Sequence, residues 1–456
     1  MRIEVNIAQT YGGCGVWQID ISDILPKYNQ ALWISSSGDK LINFTRKFFL
    51  MAEKKPAALV FIFITILIDV IGLGIIIPII PTLIQEITGE GISQASVYGG
   101  WLLFAYAGMQ FLFAPIIGGL SDQFGRRPVI LASLLGFGLD YVVAALAPSL
   151  SWLFIARIIA GITGASFTSA SAYIADSSTP DKRAQNFGMI GAAFGLGFIV
   201  GPVLGGLLGS FGPRVPFWTA AGFSLANALY GYFVLPESLA PEKRRKFDFK
   251  RANPLGSFLR LKKFPAIFSL AVSMFFLYLA GQVNPSIWSY FTMLEFGFNE
   301  AWVGYSLGFV GIMVALVQGV FIRQVIKRLG EWKTVFIGLV FSVLGLISFA
   351  LASQAWMLFL LIVPFSFGGL AGPGLQGIIS KQVPDNEQGE LQGSITSLMS
   401  VSAVLAPPIY TTLFEYFTQE PTQLFFPGAP FIMSALFCLL STILVFRSYL
   451  KHHKAA

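Results

Sequence analysis

Apolar residues in this chain come in long runs separated by short polar breaks. A helix that crosses a bilayer needs about 20 largely apolar residues. Twelve runs meet that length, near residues 58–84, 98–118, 128–147, 150–173, 186–209, 215–235, 265–289, 302–322, 334–352, 355–376, 393–413 and 427–446. Lipid offers no partner for a free backbone N–H or C=O, so each run is predicted to be helical. Residues 1–50 break the pattern, being polar, aromatic and glycine-containing, with no long apolar run and no signal-peptide core. Met51 then opens a short basic stretch, Ala52-Glu53-Lys54-Lys55, directly before the first run. Met51 is therefore the expected natural start, with residues 1–50 an over-read upstream extension; the alternative is a small cytosolic appendage.

Lys and Arg fall on one side of the predicted spans. With the N-terminus in the cytoplasm, the loops on that side hold Arg126, Arg127, Lys182, Arg183, the run from Lys243 to Lys263, Arg323, Lys327, Arg328, Lys333 and Lys381, followed by the tail's Arg447, Lys451 and Lys454. The opposite loops hold only Arg214. A missed or invented span would scatter these charges, so the asymmetry supports twelve crossings with both termini cytoplasmic. The longest loop between spans, 236–264, is basic and divides the chain into an N-terminal set of six (51–235) and a C-terminal set of six (265–446), with a cytoplasmic tail at 447–456.

Composition agrees with a protein solvated mainly by lipid. Of 456 residues, 55% are hydrophobic and 12% charged, with a mean hydropathy of +0.71, against roughly 25% charged in an ordinary soluble domain. The net charge of +7 is explained by topology-setting loops that also touch anionic headgroups, so nucleic acid is not an expected partner. Cys14 and Cys438 lie far apart, and His452 and His453 sit in a polar tail, so no metal site or disulfide framework is expected. There is no phosphate-binding loop, metal cluster or nucleophile elbow, which argues against an enzyme.

Ionisable residues deep in a span cost at least about 2.5 kcal/mol each and are functional candidates by default. Three qualify: Asp69 in the first span, Asp140 in the third and Arg157 in the fourth. A carboxylate beside an arginine in a low-dielectric cavity is able to gain and lose a proton as its surroundings alternate, as a proton-coupled carrier requires. The alternative is a static buried ion pair that fixes helix packing. Asp69 opens Asp69-Val70-Ile71-Gly72-Leu73-Gly74, ahead of Pro78 and Pro81, and such an interrupted span is typical of helices lining a cavity.

Three glycine-rich constellations follow in order. The first, Gly118-Gly119-Leu120-Ser121-Asp122-Gln123-Phe124-Gly125-Arg126-Arg127-Pro128, joins spans 2 and 3; Gly125 permits a sharp turn, and Asp122, Arg126 and Arg127 supply charges able to latch helix ends. The second runs from Arg157 through Gly161 to Gly164. The third, in span 5, carries Gly197, Gly201, Pro202, Gly205 and Gly206, where glycines four apart make a groove for close helix contact and the proline kinks the helix. Together, in these spans, they resemble the signature motifs of the major facilitator superfamily. The resemblance narrows to its tetracycline/proton antiporters through Asp69 to Pro81, Met109-Gln110-Phe111, Asp140-Tyr141, Arg157 to Ala165, Ala172-Tyr173-Ile174-Ala175-Asp176, Phe194-Gly195-Leu196-Gly197 and Gln388 to Ser394.

What the resemblance implies is an all-α integral membrane protein of the major facilitator fold, with two six-helix halves and alternating access. It would sit in a bacterial inner membrane and export a drug-like small molecule in exchange for protons, with no cofactor beyond the proton gradient and with a single chain as the working unit. The family's essential acids fall on Asp69 and Asp140, its span 4 arginine on Arg157, and its gating loop on Gly118, Asp122, Gly125, Arg126 and Arg127. The span 5 motif, associated with antiporters, falls on Gly197 to Gly206. Gln110, Gln282 and Gln318 are candidate substrate contacts; Phe276, Tyr278 and Trp288 could stack on a ring. Two departures count against tetracycline itself: the family's span 8 histidine and span 9 aspartate match Val314 and Ser342, which cannot titrate. The rival within transporters is a sugar or metabolite importer; a passive channel or receptor is the rival outside them.

The loop 323–333 occupies the place of the span 2–3 motif at an offset of 205 residues, with Gly330 corresponding to Gly125, Lys327 to Asp122 and Glu331 to Arg126. The second copy is expected to be a decayed one, its signs exchanged.

Overall fold

A computed structural model describes residues 2–4, 18–20, 59–164, 166–247, 267–384, 387–420, 422 and 424–455. The chain divides between Pro56 and Ala57. In the first unit, β1 (Arg2–Glu4) pairs antiparallel with β2 (Gln18–Asp20), with Ile3 opposite Ile19. Met51, and the basic residues Lys250, Arg251, Arg260, Lys262 and Lys263 of the central loop, lie outside the described residues.

The second unit is helical throughout. Its helices are α1 (Leu59–Ile76), extended after a turn by the short helix Ile80–Thr88, α2 (Ile92–Phe124), α3 (Arg126–Leu146), α4 (Leu150–Ser177), α5 (Pro180–Gly209) and α6 (Val215–Val234). The second half supplies α7 (Phe268–Phe296), a long stretch Glu300–Ala350, α10 (Ala355–Ser380), α11 (Gln388–Thr418) and α12 (Ala429–Ala455). The long stretch breaks at Gly330 (φ 76°, ψ 168°) into α8 (300–329) and α9 (331–350). Among the described residues, most of each apolar run lies on one of these helices. By length and composition, ten described stretches can cross a membrane, one of them the 51-residue stretch that Gly330 divides.

Helix breaks fall where the sequence weakens the backbone ladder. Prolines remove a ladder hydrogen bond inside α2 at Pro115, α5 at Pro202, α10 at Pro364 and α11 at Pro407 and Pro408, and each helix continues through them. α4 breaks at Gly164, and α7 breaks at Gln282 between Gly281 and Val283. α8 contains a π-turn, Val317–Phe321.

The two halves repeat one another in packing. α3 packs on α6 and α4 as α9 packs on α12 and α10, and the halves meet where α5 lies along α8 and α2 along α11. At one end of this seam a single buried cluster spans both halves, joining Ile79, Leu83 and Phe137 to Phe291, Tyr410 and Phe431. Toward the α2–α3 turn the buried side chains form separate clusters, one around Phe61, Leu134 and Ile174, the other around Leu270, Leu339 and Leu375.

Candidate functional site

The span 3 and span 4 charges form one buried pair. Nη2 of Arg157 donates to both carboxylate oxygens of Asp140, at 2.8 and 2.7 Å, with the Asp140 side chain fully buried and that of Arg157 7% exposed. Two glycines set up this geometry by letting α4 approach α2. A Cβ at Gly161 would lie 2.6 Å from Met109 Cβ, and one at Gly164 would lie 3.1 Å from the Tyr106 hydroxyl. Gln110 then donates to the Gly164 carbonyl at 3.2 Å and to the Tyr106 hydroxyl at 3.3 Å.

Asp69 stands apart from that pair. Its Oδ1 is buried with no hydrogen-bond partner, on the wall of a cavity of about 380 Å³ that Tyr106 and Gln110 also line. Arg157 faces a second, smaller cavity of about 210 Å³, again bordered by Tyr106 and, from the other half, by Tyr290. Leu73, Tyr106 and Phe198 line both cavities, so Tyr106 is the polar member of the wall between Asp69 and Arg157. Sequence singled out all three charges, but which carboxylate takes the arginine depends on helix facing, and Tyr106 carried no signal.

The second half contributes a cavity of about 570 Å³ in which Val314, Gln318 and Ser342 come together. Gln318 sits in the π-turn of α8, a local widening often found at functional sites. Tyr278, Asn284 and Gln376 line the same wall; Gln282 is not among its lining residues, whereas its near neighbour Asn284 is. Met399 of α11 lines both this cavity and the Asp69 cavity. Of the aromatic candidates only Tyr278 reaches the cavity. Trp288 is buried, donating to Ser306 Oγ at 2.9 Å and packing edge-on to Phe349, and Phe276 stacks on Phe437.

The span 5 glycines work in two directions. Gly197, Gly201 and Gly205 face α1, and a Cβ at Gly201 would lie 2.8 Å from both Gly74 Cα and the Ile71 carbonyl oxygen. Pro202 and Gly206 face α8, where a Cβ at Gly304 would lie 3.2 Å from Gly206 Cα. α5 is therefore in backbone contact with both halves.

At the α2–α3 turn, Gly125 adopts φ 107°, ψ 162°, and a Cβ there would lie 2.8 Å from the Glu237 carboxylate carbon. That carboxylate accepts from the backbone N–H groups of Arg126 and Arg127, at 2.9 and 3.3 Å. The Arg126 side chain pairs with Asp122 at 2.6 Å and with Asp176 at the end of α4 at 3.0 Å, and it donates to Ser121 Oγ at 3.2 Å. Arg127 donates to the Tyr232 carbonyl and lies over the Tyr232 ring. Among the described residues, no atom of another element lies within 4 Å of a Cβ added to Gly118. Sequence missed Asp176 and Glu237 as partners, since a charge at a span end needs no explanation beyond solvation.

The equivalent turn in the second half keeps the arrangement with opposite signs. Gly330 repeats the positive φ of Gly125, and Glu331 pairs with Lys381 at 2.8 Å. At the offset of 205 residues, Glu331 replaces Arg126 and Lys381 replaces Asp176. The second copy keeps the positive φ and one ion pair with the exchanged signs read from its motif, while no pair between Glu331 and Lys327 matches Arg126–Asp122 among the described residues.

A family model described as Major Facilitator Superfamily matches residues 62–407 and 325–455. The chain is 40% identical over 361 residues to a tetracycline resistance protein, class C, from Escherichia coli, covering 79% of this chain and 90% of that one. It is 33% identical over 403 residues to the class H protein of Pasteurella multocida, covering 87% and 96%. Among solved structures it resembles the human organic anion transporter MFSD10 (TM-score 0.65, 24% identity, 86% and 99% covered). It also resembles a bacterial homologue of the lysosomal transporter Spinster in an inward-facing conformation (TM-score 0.69, 16% identity, 87% and 98% covered).

Proposed function

The chain belongs to the major facilitator superfamily, as a multi-pass membrane transporter related to the tetracycline resistance proteins, and from that premise we propose that it exports a drug-like small molecule from a bacterial cytoplasm in exchange for protons. The observation that carries the reading is Asp69, a carboxylate in an apolar span whose buried Oδ1 has no partner and whose cavity adjoins that of the second half. An acid already committed to an arginine is a poor proton carrier, and Asp140 is so committed. Asp69 is the exchanging acid in this scheme. The Asp140–Arg157 pair holds α3 to α4 and sets the field across the Tyr106 wall.

Alternating access gives each part a task. In this scheme the α2–α3 and α8–α9 turns, and both termini, face the cytoplasm, a reading supported by the basic loops. Separate buried clusters at that end and a shared one at the other suit a state open to the cytoplasm. Substrate enters between the halves beside Asp69, the carboxylate loses its proton inward, and the halves rock about the α5–α8 and α2–α11 seams to release the substrate outside. A proton from that side then resets Asp69. Gln110 and Gln318 contribute neutral polar contacts to the substrate cavities.

The test is proton movement in inverted membrane vesicles with an imposed pH gradient, across tetracyclines, fluoroquinolones and macrolides. At least one compound is expected to collapse the gradient with the intact chain and to leave it standing with Asp69→Asn. Uptake of a compound into the vesicles without any effect on the gradient, in either form, would replace this reading with uncoupled transport.

A further inference from the structure

Asn284 stands on the wall of the 570 Å³ cavity, in the first turn after the break in α7. Its Oδ1 is buried and has no donor. The other amides nearby are engaged: Gln376 donates to Gln392 at 2.8 Å, and Gln318 reaches the Gly369 carbonyl at 3.5 Å. Ser366 donates to the Ile362 carbonyl at 2.7 Å. Among the described residues, no Asp, Glu, Lys, Arg or His lines this cavity. The smaller cavity across Met399 differs, since it holds Asp69.

Electrostatics decides what such a wall receives. A charged ligand end entering here would lose its hydration with no opposite charge to meet it. A purely apolar end would leave the Asn284 oxygen without a donor in a low-dielectric wall, which is also unfavourable. An N–H or O–H of an uncharged group avoids both penalties, while Leu346, Phe365 and Met399 supply the apolar surface for a ring.

We propose that the larger cavity is a subsite for an uncharged, hydrogen-bond-donating end of a ring-bearing substrate, an amide or a hydroxyl, with Asn284 as its acceptor and as a specificity-determining residue. The proposal rests on the reading that this cavity receives the transported compound. Sites built around a polar partner reject analogues lacking it, because the site's own group is then left unpaired. Selection by Asn284 therefore acts at the substrate's uncharged end, independently of the charge exchange at Asp69.

The experiment is equilibrium binding to the purified full chain in detergent by isothermal titration calorimetry. One probe is chloramphenicol, which is uncharged and carries amide and hydroxyl donors; the other is tetraphenylphosphonium, a cation with no donor. Asn284→Leu is expected to weaken chloramphenicol about tenfold, the scale of one hydrogen bond, and to leave tetraphenylphosphonium within about twofold. Asn284→Gln, which keeps the acceptor, is expected to recover much of the loss. Should Asn284→Leu fail to fold, Asn284→Ala carries the same expectation. Failure of the intact chain to bind chloramphenicol, equal weakening of both probes, or no change on substitution would each overturn the proposal. Its fate is separable from that of proton exchange: the dependence of binding on Asn284 is read in the purified chain with no pH gradient, whereas the role of Asp69 is read from proton movement in vesicles.

Discussion

Arg157 gives the two oxygens of Asp140 one nitrogen in a fully buried setting. Removing one partner of such a pair strands a charge and costs about 3–5 kcal/mol, whereas replacing both by apolar groups is often neutral. Arg157→Leu is thus expected to lower the thermal unfolding midpoint in detergent steeply, and the double variant Asp140→Leu/Arg157→Leu to recover most of it. If the pair serves only packing, the double variant will also move protons normally; if it tunes the Asp69 exchange, stability returns and proton movement does not. The sequence announced these residues because nothing else explains a charge inside an apolar run. It did not announce that Asp69 is left over, because the facing of three helices is settled by glycines at 161 and 164 that read as generic packing residues. Asn284 was passed over for a similar reason: it sits two residues from Gln282, and only the local break in α7 puts one and not the other on the cavity wall.

Among the elements, α5 is the one whose motif and geometry agree most closely. Glycines four apart predicted a groove, and the structure fills it with α1 on one side and α8 on the other. Gly201→Val places atoms where Gly74 and Ile71 now lie, an overpacking worth about 1–3 kcal/mol. The expected outcome is a chain that still inserts, with drug transport in vesicles reduced at least tenfold relative to its abundance by immunoblot. The turns at Gly125 and Gly330 show where a motif search falls short. Residue types at the second turn no longer match the first, yet the positive φ and the ion pair are both retained. Geometry persists through exchange of charge because a pair needs only opposite signs. Reversing the second pair, Glu331→Lys with Lys381→Glu, should restore transport lost in either single variant. Since Lys381 is 71% exposed, the accompanying stability changes should stay under about 1 kcal/mol. Arg126→Glu should be more damaging, because Arg126 serves Asp122, Asp176 and Ser121 together.

At the scale of the whole molecule, the halves are joined by hydrogen bonds at the end away from the basic loops. Thr418 Oγ1 donates to Ser93 Oγ at 2.7 Å, Ser96 to the Thr411 carbonyl at 3.4 Å, and Ser289 to the Ile77 carbonyl at 3.0 Å, while Thr82 donates to Glu300. The proposed rocking of the halves would have to break these contacts. Ser93→Cys with Thr418→Cys, in a background lacking Cys14 and Cys438, should therefore cross-link on mild oxidation and stop transport, with recovery on reduction; undiminished transport in a fully cross-linked sample would show that this end need not open. The helical membrane-spanning architecture itself was legible early, because bilayer thickness dictates run length. The hydrogen bonds between the halves were not, since hydroxyls such as Ser93 and Thr418 in apolar runs look alike wherever they sit.

Met399 is the residue common to the cavities of about 380 and 570 Å³. Its side chain is unbranched and polarizable, able to change shape at little cost, and 45% of it is exposed. On the proposed reading, in which both cavities receive the transported compound, a partition of that kind could move aside for a wide guest and fold back over a narrow one, so that breadth and selectivity would be two positions of the same side chain.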